Sequence, residues 1–205
     1  MIRKVLLVVL LLVVVLLGYA STKPDSFSVE RSIDIAAPPE RVHALINDFH
    51  AWEAWSPWAK LDTAMTVTYS GPPSGVGAVY EWTGNSSVGA GRMEITSSTP
   101  GTSVGVKLDF LKPIEGHNVT TFSLTPKDGG TNVRWLMEGP ATFMTKLMMT
   151  VTSMDKMIGP DFEKGLQQLK ATAESAPAAT APAAAPAVDS TAAPAATPVV
   201  GPPAP

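Results

Sequence analysis

Three tryptophans fall within seven residues, Trp52, Trp55 and Trp58, in a run from Asn47 that ends Ser-Pro-Trp. Indoles this dense are costly to keep unless they wall something apolar, so the first chemistry to consider is recognition of a hydrophobic molecule. Acid–base chemistry would instead need a histidine or carboxylate held inside such a wall with a shifted pKa. The three histidines, His43, His50 and His117, are far apart in the chain and read as surface or rim residues. Glu81, Glu94 and Glu138 alternate with the large apolar residues of their segments, as Asp109 does with Leu108 and Phe110. All four are therefore expected on a solvent face, with Arg134, in phase with Glu138, in a surface charge ladder. No catalytic carboxylate pair emerges, and neither a metal site nor a cofactor is expected. Gly75-Val-Gly77 and Gly89-Ala-Gly91 lack the following helix that a phosphate loop needs and read as turns or bulges. Asn85-Ser-Ser and Asn118-Val-Thr match the short glycosylation sequon.

The elements that must position these residues follow from periodicity. Phe27 to Ile35 alternates apolar and polar, with Arg31 as the exception, and predicts a strand. Ala36-Ala-Pro-Pro-Glu breaks it, and Pro39 suits the first turn of a helix that turns Val42, Leu45, Ile46 and Phe49 inward. A second short helix is expected over His50 to Trp55. Six further strands are suggested at Met65 to Tyr69, Ala78 to Thr83, Gly91 to Ser97, Ser103 to Phe110, Asn118 to Thr125 and Asn132 to Glu138. Each is separated from the next by Gly, Pro or Asn turn chemistry, which predicts an antiparallel meander. Phe143 to Ala173 carries apolar residues at helical spacing, and Gly159-Pro160 should kink or split that helix.

In order, Asn47-Asp-Phe-His-Ala-Trp-Glu-Ala-Trp-Ser-Pro-Trp, Gly71-Pro-Pro-Ser-Gly-Val-Gly-Ala-Val-Tyr-Glu-Trp, Gly89-Ala-Gly-Arg-Met-Glu-Ile and Asp155-Lys-Met-Ile-Gly-Pro-Asp-Phe-Glu-Lys-Gly-Leu resemble one family. It is the polyketide cyclase/dehydrase-like branch of the START/Bet v 1 (SRPBCC) superfamily, and the likeness covers residues 26 to 174. The resemblance implies an α+β helix-grip fold, a curved antiparallel sheet wrapped around a long C-terminal helix in the order β-α-α-β6-α. It also implies an apolar cavity between sheet and helix. The candidate lining is Trp52, Trp55, Trp58, Tyr80, Trp82, Met93, Phe110, Phe122, Trp135, Met137, Leu147, Met154 and Ile158. Aromatic and Met residues at such positions also serve as plain core, so the expectation rests on the set.

The two ends differ from this middle. Residues 1–25 hold Arg3 and Lys4, an unbroken Leu/Val run from Val5 to Leu17, and Gly18-Tyr-Ala20. This is either a retained membrane anchor through residues 5–20 or a signal segment cleaved near Ala20, and the basic pair favours a cytoplasmic N-terminus under both. The domain is expected on the extracytoplasmic side, or secreted or periplasmic after cleavage. Residues 175–205 contain eight prolines in 31 positions and no aromatic, which predicts a disordered Pro/Ala-rich tail serving as spacer or as a Pro-rich recognition site. The chain of 205 residues has room for one core between those ends. Its net charge of −3 with scattered basic residues points away from nucleic acid. The absence of cysteine excludes disulfides, thiolate metal sites and a cysteine nucleophile.

Three functions remain open at this point. The first is binding of a hydrophobic small molecule or lipid without turnover, and the second is a cyclase or dehydratase in which the cavity folds a polyketide-like chain. The third is an envelope interaction or stress-response module whose contacts lie on the tail.

Overall fold

The computed structural model of the chain describes residues 1–175. The alternating segments form one seven-stranded antiparallel sheet, in chain order β1 (Ser26–Ile35), β2 (Thr66–Ser70), β3 (Val79–Thr83), β4 (Ala90–Thr99), β5 (Ser103–Lys112), β6 (Gly116–Lys127) and β7 (Gly130–Pro140). Its spatial order is β1-β7-β6-β5-β4-β3-β2, a meander closed by the first strand beside the last. Register shifts at Ala90/Gly91 and Ile95/Ser97 interrupt the β4–β5 ladder. Such bulges bend a strand and raise its twist, and the sheet curves.

The helices are α1 (Ile2–Ser21), α2 (Pro39–Ile46), α3 (Trp52–Trp55), α4 (Phe143–Met148) and α5 (Met154–Ser175), with a 3₁₀ turn at Phe49–Ala51. Helix α2 starts with proline at its first position, and α3 stops where Ser56, forced extended before Pro57, leaves the helical region. On α5, Phe162, Leu166, Leu169 and Ala173 are buried at helical spacing against the concave sheet face. That face carries Val29 and Ile35 of β1, Ile95 of β4, Val104 and Val106 of β5, Phe122 and Leu124 of β6, and Val133 and Trp135 of β7. This is the α+β helix-grip fold.

The C-terminal helix breaks elsewhere than the sequence suggests. The interruption lies at Met149–Ser153, and Pro160 sits inside α5. Thr150, Val151 and Thr152 are poor helix formers, and the Ser153 hydroxyl caps a fresh start by accepting from Lys156 N–H at 3.2 Å. Gly159 serves packing instead, since a Cβ there would collide with the guanidinium of Arg31. Arg31, the exception in the β1 pattern, crosses this gap to donate to Asp155 Oδ1 at 2.6 Å and Glu163 Oε1 at 2.7 Å. Asp155, Gly159 and Glu163 recur every fourth residue on one stripe of α5, so the charge that broke the strand's alternation fastens the helix to it. At the far end Lys170 Nζ donates to the Asp34 carbonyl at 2.6 Å, and Glu174 accepts from Ala36 N–H at 2.7 Å.

Helix α1 is 20 residues long, about 30 Å by its rise, and among the described residues it is the one helix long and apolar enough to cross a membrane. All of it except Ala20 is exposed, and its C-terminal end packs on α4. The tail expected over residues 175–205 lies outside the described residues, apart from Ser175 at the end of α5.

Candidate functional site

The end of α2 dictates how the tryptophan cluster is seated. A helix leaves its last carbonyls without intrahelical partners, and here two indoles supply donors: Trp52 Nε1 to the Ile46 carbonyl at 2.9 Å and Trp55 Nε1 to the Leu45 carbonyl at 3.0 Å. The rings then pack as one aromatic block. Trp55 meets Phe122 and Trp135 edge-on, and Trp135 stacks on Phe162 with centroids 4.0 Å apart at 13°.

Beside that block lies a cavity of about 610 Å³, bounded by the concave sheet, the first half of α5 and the segment from Trp52 to Val67. This is the size of a small-molecule site, on the order of 300–1,000 Å³. Of the residues expected to line it, Trp52, Trp58, Tyr80, Trp82, Met93, Phe110, Trp135, Met137 and Ile158 do so. Four do not. Trp55 and Phe122 are fully enclosed in the aromatic block, because each meets rings on more than one side. Leu147 lies on α4, which the break at Met149–Ser153 detaches from α5 and places against α1. Met154 packs on the core at the first turn of α5, short of the cavity.

The residues reading alone missed are Val67, Tyr69, Leu108, Thr120 and Phe162, together with rim residues. Their signal was phase: Leu108 shares the face of Phe110, and Thr120 that of Phe122, on strands already recognised. Trp82 shows how tightly the wall is built. Its ring covers Gly91, where a Cβ would strike it, and its Nε1 donates to the Val88 carbonyl at 2.9 Å.

Polar groups are sparse and segregated. Glu53, Lys60, Asp62 and Asp161 occupy exposed or half-exposed rim positions. Asp62 joins two irregular walls of the mouth, since Oδ2 accepts from Asn85 N–H in the β3–β4 turn at 2.7 Å and Oδ1 from Ala64 N–H at 3.0 Å. Inside, burial pushes the Tyr80 phenol up to about 12, with lesser contributions from Tyr69 and Glu53. Thr120 is buried on the cavity floor. The Nε1 of Trp135, also buried, has no hydrogen-bond partner among the described residues.

The titratable groups weighed for acid–base work lie elsewhere. His43 is buried at 8% exposure, contrary to the surface role expected, with Nε2 3.0 Å from Ser98 Oγ, and burial lowers its pKa. It sits on the inward stripe of α2 with Val42 and Ile46. His50 pairs with Asp48 at 2.8 Å and stacks on Tyr69 at the rim. His117 pairs with Asp109 at 2.7 Å. Asp109 is on the convex face as expected, yet only 8% exposed, because Lys107 and His117 fold over it. Burial works against its carboxylate and those two partners outweigh it, so the pKa falls. Arg134 pairs with Glu30 across β1–β7 at 2.5 Å, with Glu138 contributing only through charge.

A family model described as polyketide cyclase / dehydrase and lipid transport matches residues 26–174. The chain belongs to that family. It is thereby a member of the START/Bet v 1-like (SRPBCC) superfamily. Solved structures share the family member's fold at low identity. Protein CV1439 from Chromobacterium violaceum is 20% identical with a TM-score of 0.52, over 74% of this chain and 99% of that one. The Aha1 dimer from Colwellia psychrerythraea is 18% identical with a TM-score of 0.52, over 72% and 96%. Ara h 8.0201 is 11% identical with a TM-score of 0.53, over 74% and 99%. No curated protein matches the chain significantly.

Proposed function

We propose that residues 26–174 form a binding domain that holds a hydrophobic small molecule or lipid between the sheet and α5, without turning it over. One observation carries this reading: a cavity of about 610 Å³ walled by Trp52, Tyr80, Trp82, Met93, Phe110 and Met137, with its charged groups confined to the rim. An apolar body of lipid size would bury its surface there at roughly 25 cal/mol per Å². The cyclase or dehydratase alternative needs a general acid or base at the reacting atoms, and all three histidines are engaged away from the cavity floor. Residues 1–25 act as the anchor, or as a signal removed near Ala20, and place the domain outside the cytoplasm with Arg3 and Lys4 on the inner side.

The test uses the full chain in phospholipid nanodiscs and the neutral apolar probe N-phenyl-1-naphthylamine. Saturable energy transfer from tryptophan is expected in the parent protein. The double variant Leu108→Trp, Ile158→Trp fills facing walls and should lose that component, at a stability cost of about 1–3 kcal/mol for each substitution. A parent protein with no saturable component above the double variant would overturn the proposal.

A further inference from the structure

Resting on the reading of α1 as a retained anchor, we infer that the end of the domain from which α1 leaves is itself a membrane-docking surface, seated on the bilayer through α4, the link to α5 and the β5–β6 turn. The sheet register defines that end. Ser26 pairs with Pro140, Val119 with Glu138, Phe110 with Gly116, Ala90 with Lys112, and Thr83 with both Ala90 and Thr66. The start of β1 is therefore in line with the β5–β6 and β3–β4 turns and with the exit of β7 toward α4. Since α1 stops at Ser21 and β1 starts at Ser26, the apolar helix joins the fold at this end.

Large apolar side chains are exposed here on separate segments. Val151, in the link between α4 and α5, is 89% exposed, and Phe143 and Met144 on α4 and Leu111 and Ile114 at the β5–β6 turn are exposed as well. The opposite end differs: its β6–β7 turn is Lys127-Asp128-Gly129, its β4–β5 turn is Pro100-Gly101-Thr102, and its β2–β3 turn exposes Val76. Apolar side chains gathered at one end mark a surface with a partner, unlike the scattered single residues that any protein carries.

Helix α4 says which partner. Six residues are too few to hold a helix in water unaided, and none of those of α4 is buried in the domain. What fixes α4 is its place beside the anchor: it packs on α1, and Lys146 pairs with Asp25 in the connector. Phe143 and Met144 are thus presented at the root of α1, where the apolar medium that covers Val5 to Leu17 is within reach, as for a short helix lying in a membrane interface. Charges at this end are of both signs, Lys112, Lys146 and Lys156 against Asp25, Glu115 and Asp155, so the contact is apolar and needs no anionic headgroup. The β3–β4 turn, one wall of the cavity mouth, stands at the same end, and docking brings that wall to the lipid surface.

The chain holds no cysteine, so one substitution carries one label. Val151→Cys, Ile114→Cys, Val76→Cys and Leu10→Cys, each labelled with the fluorophore NBD, are reconstituted as full chains in phosphatidylcholine nanodiscs and quenched by lipid-borne nitroxide or by aqueous iodide. The Leu10 position reports the anchor and the Val76 position the far end of the domain. The ratio of nitroxide to iodide quenching at both Val151 and Ile114 is expected to exceed that at Val76 by about threefold or more. A ratio at either position equal to that at Val76, with Leu10 still quenched by nitroxide, would overturn the docking surface and leave the anchor standing. Shielding of Val151 and Ile114 from both quenchers would overturn it too, by placing a second copy of the chain on this face. A ratio that rises only when anionic phosphatidylglycerol is added would assign the contact to charge, against the apolar docking. Loss of nitroxide quenching at Leu10 would refute the anchor and this inference with it.

Discussion

Trp52 and Trp55 each serve two ends at once, a ring that fills apolar space and an N–H that terminates α2. His43 has a simpler position and a measurable consequence. Burial holds its pKa below the ordinary 6.5, so the folded chain prefers the neutral ring. Above about pH 6.5 neither state binds that proton and stability is level; below it the unfolded chain protonates first, and stability falls until the folded-state pKa is passed. Urea unfolding between pH 7.5 and 5 should show this decline in the parent and a flatter profile in His43→Gln. The shifted carboxylates, all lowered, act around and below about pH 4. A profile for His43→Gln as steep as the parent's would assign the slope to another group. Single residues were the least legible feature of the sequence. Trp52 and Trp55 carry the same side chain three positions apart and both meet Phe122, and it is the added contact of Trp55 with Trp135 that separates a core ring from a wall. His43 looked like a surface residue because a buried ring needs one partner, and Ser98 is 55 positions away.

At the scale of elements, strand periodicity was a reliable guide: each of the seven strands forms where alternation and turn chemistry place it, within a few residues at its ends. The helix break was not, because Gly159-Pro160 carries the sequence signature of a kink while its packing role with Arg31 depends on a strand more than 120 residues earlier. What the alternation could not show is how the irregular segments close the cavity. The sheet is held by continuous ladders and α5 by Arg31 at one end and Lys170 and Glu174 at the other, whereas Ser56–Met65 and the β3–β4 turn meet chiefly through Asp62. That makes the mouth the wall expected to open first. Asp62→Ala should therefore speed probe uptake and probe release together, each by at least threefold in stopped-flow traces, with Kd changed by less than about threefold. A change confined to the release rate would show that Asp62 holds the ligand rather than the mouth.

For the whole molecule, the family match spans residues 26–174, and β1 begins a short connector after the apolar helix. If α1 is retained as the anchor, the protein should remain with membranes through high-salt and carbonate washes; a soluble form starting at Ser21 would establish cleavage. The connector has a consequence of its own. Only Thr22 to Asp25 separate α1 from β1, and four residues reach no more than about 14 Å even fully stretched. Ala20 is buried, and α1 packs on α4, whose Phe143 and Met144 are exposed. With α1 retained in a bilayer, a domain moored this closely could not ferry cargo between two membranes. It would be a fixed post at one surface, where whatever loads or empties the proposed cavity site would have to travel to it along the bilayer or across the gap, and where turnover of cargo would be set by the visitor's diffusion and not by its own.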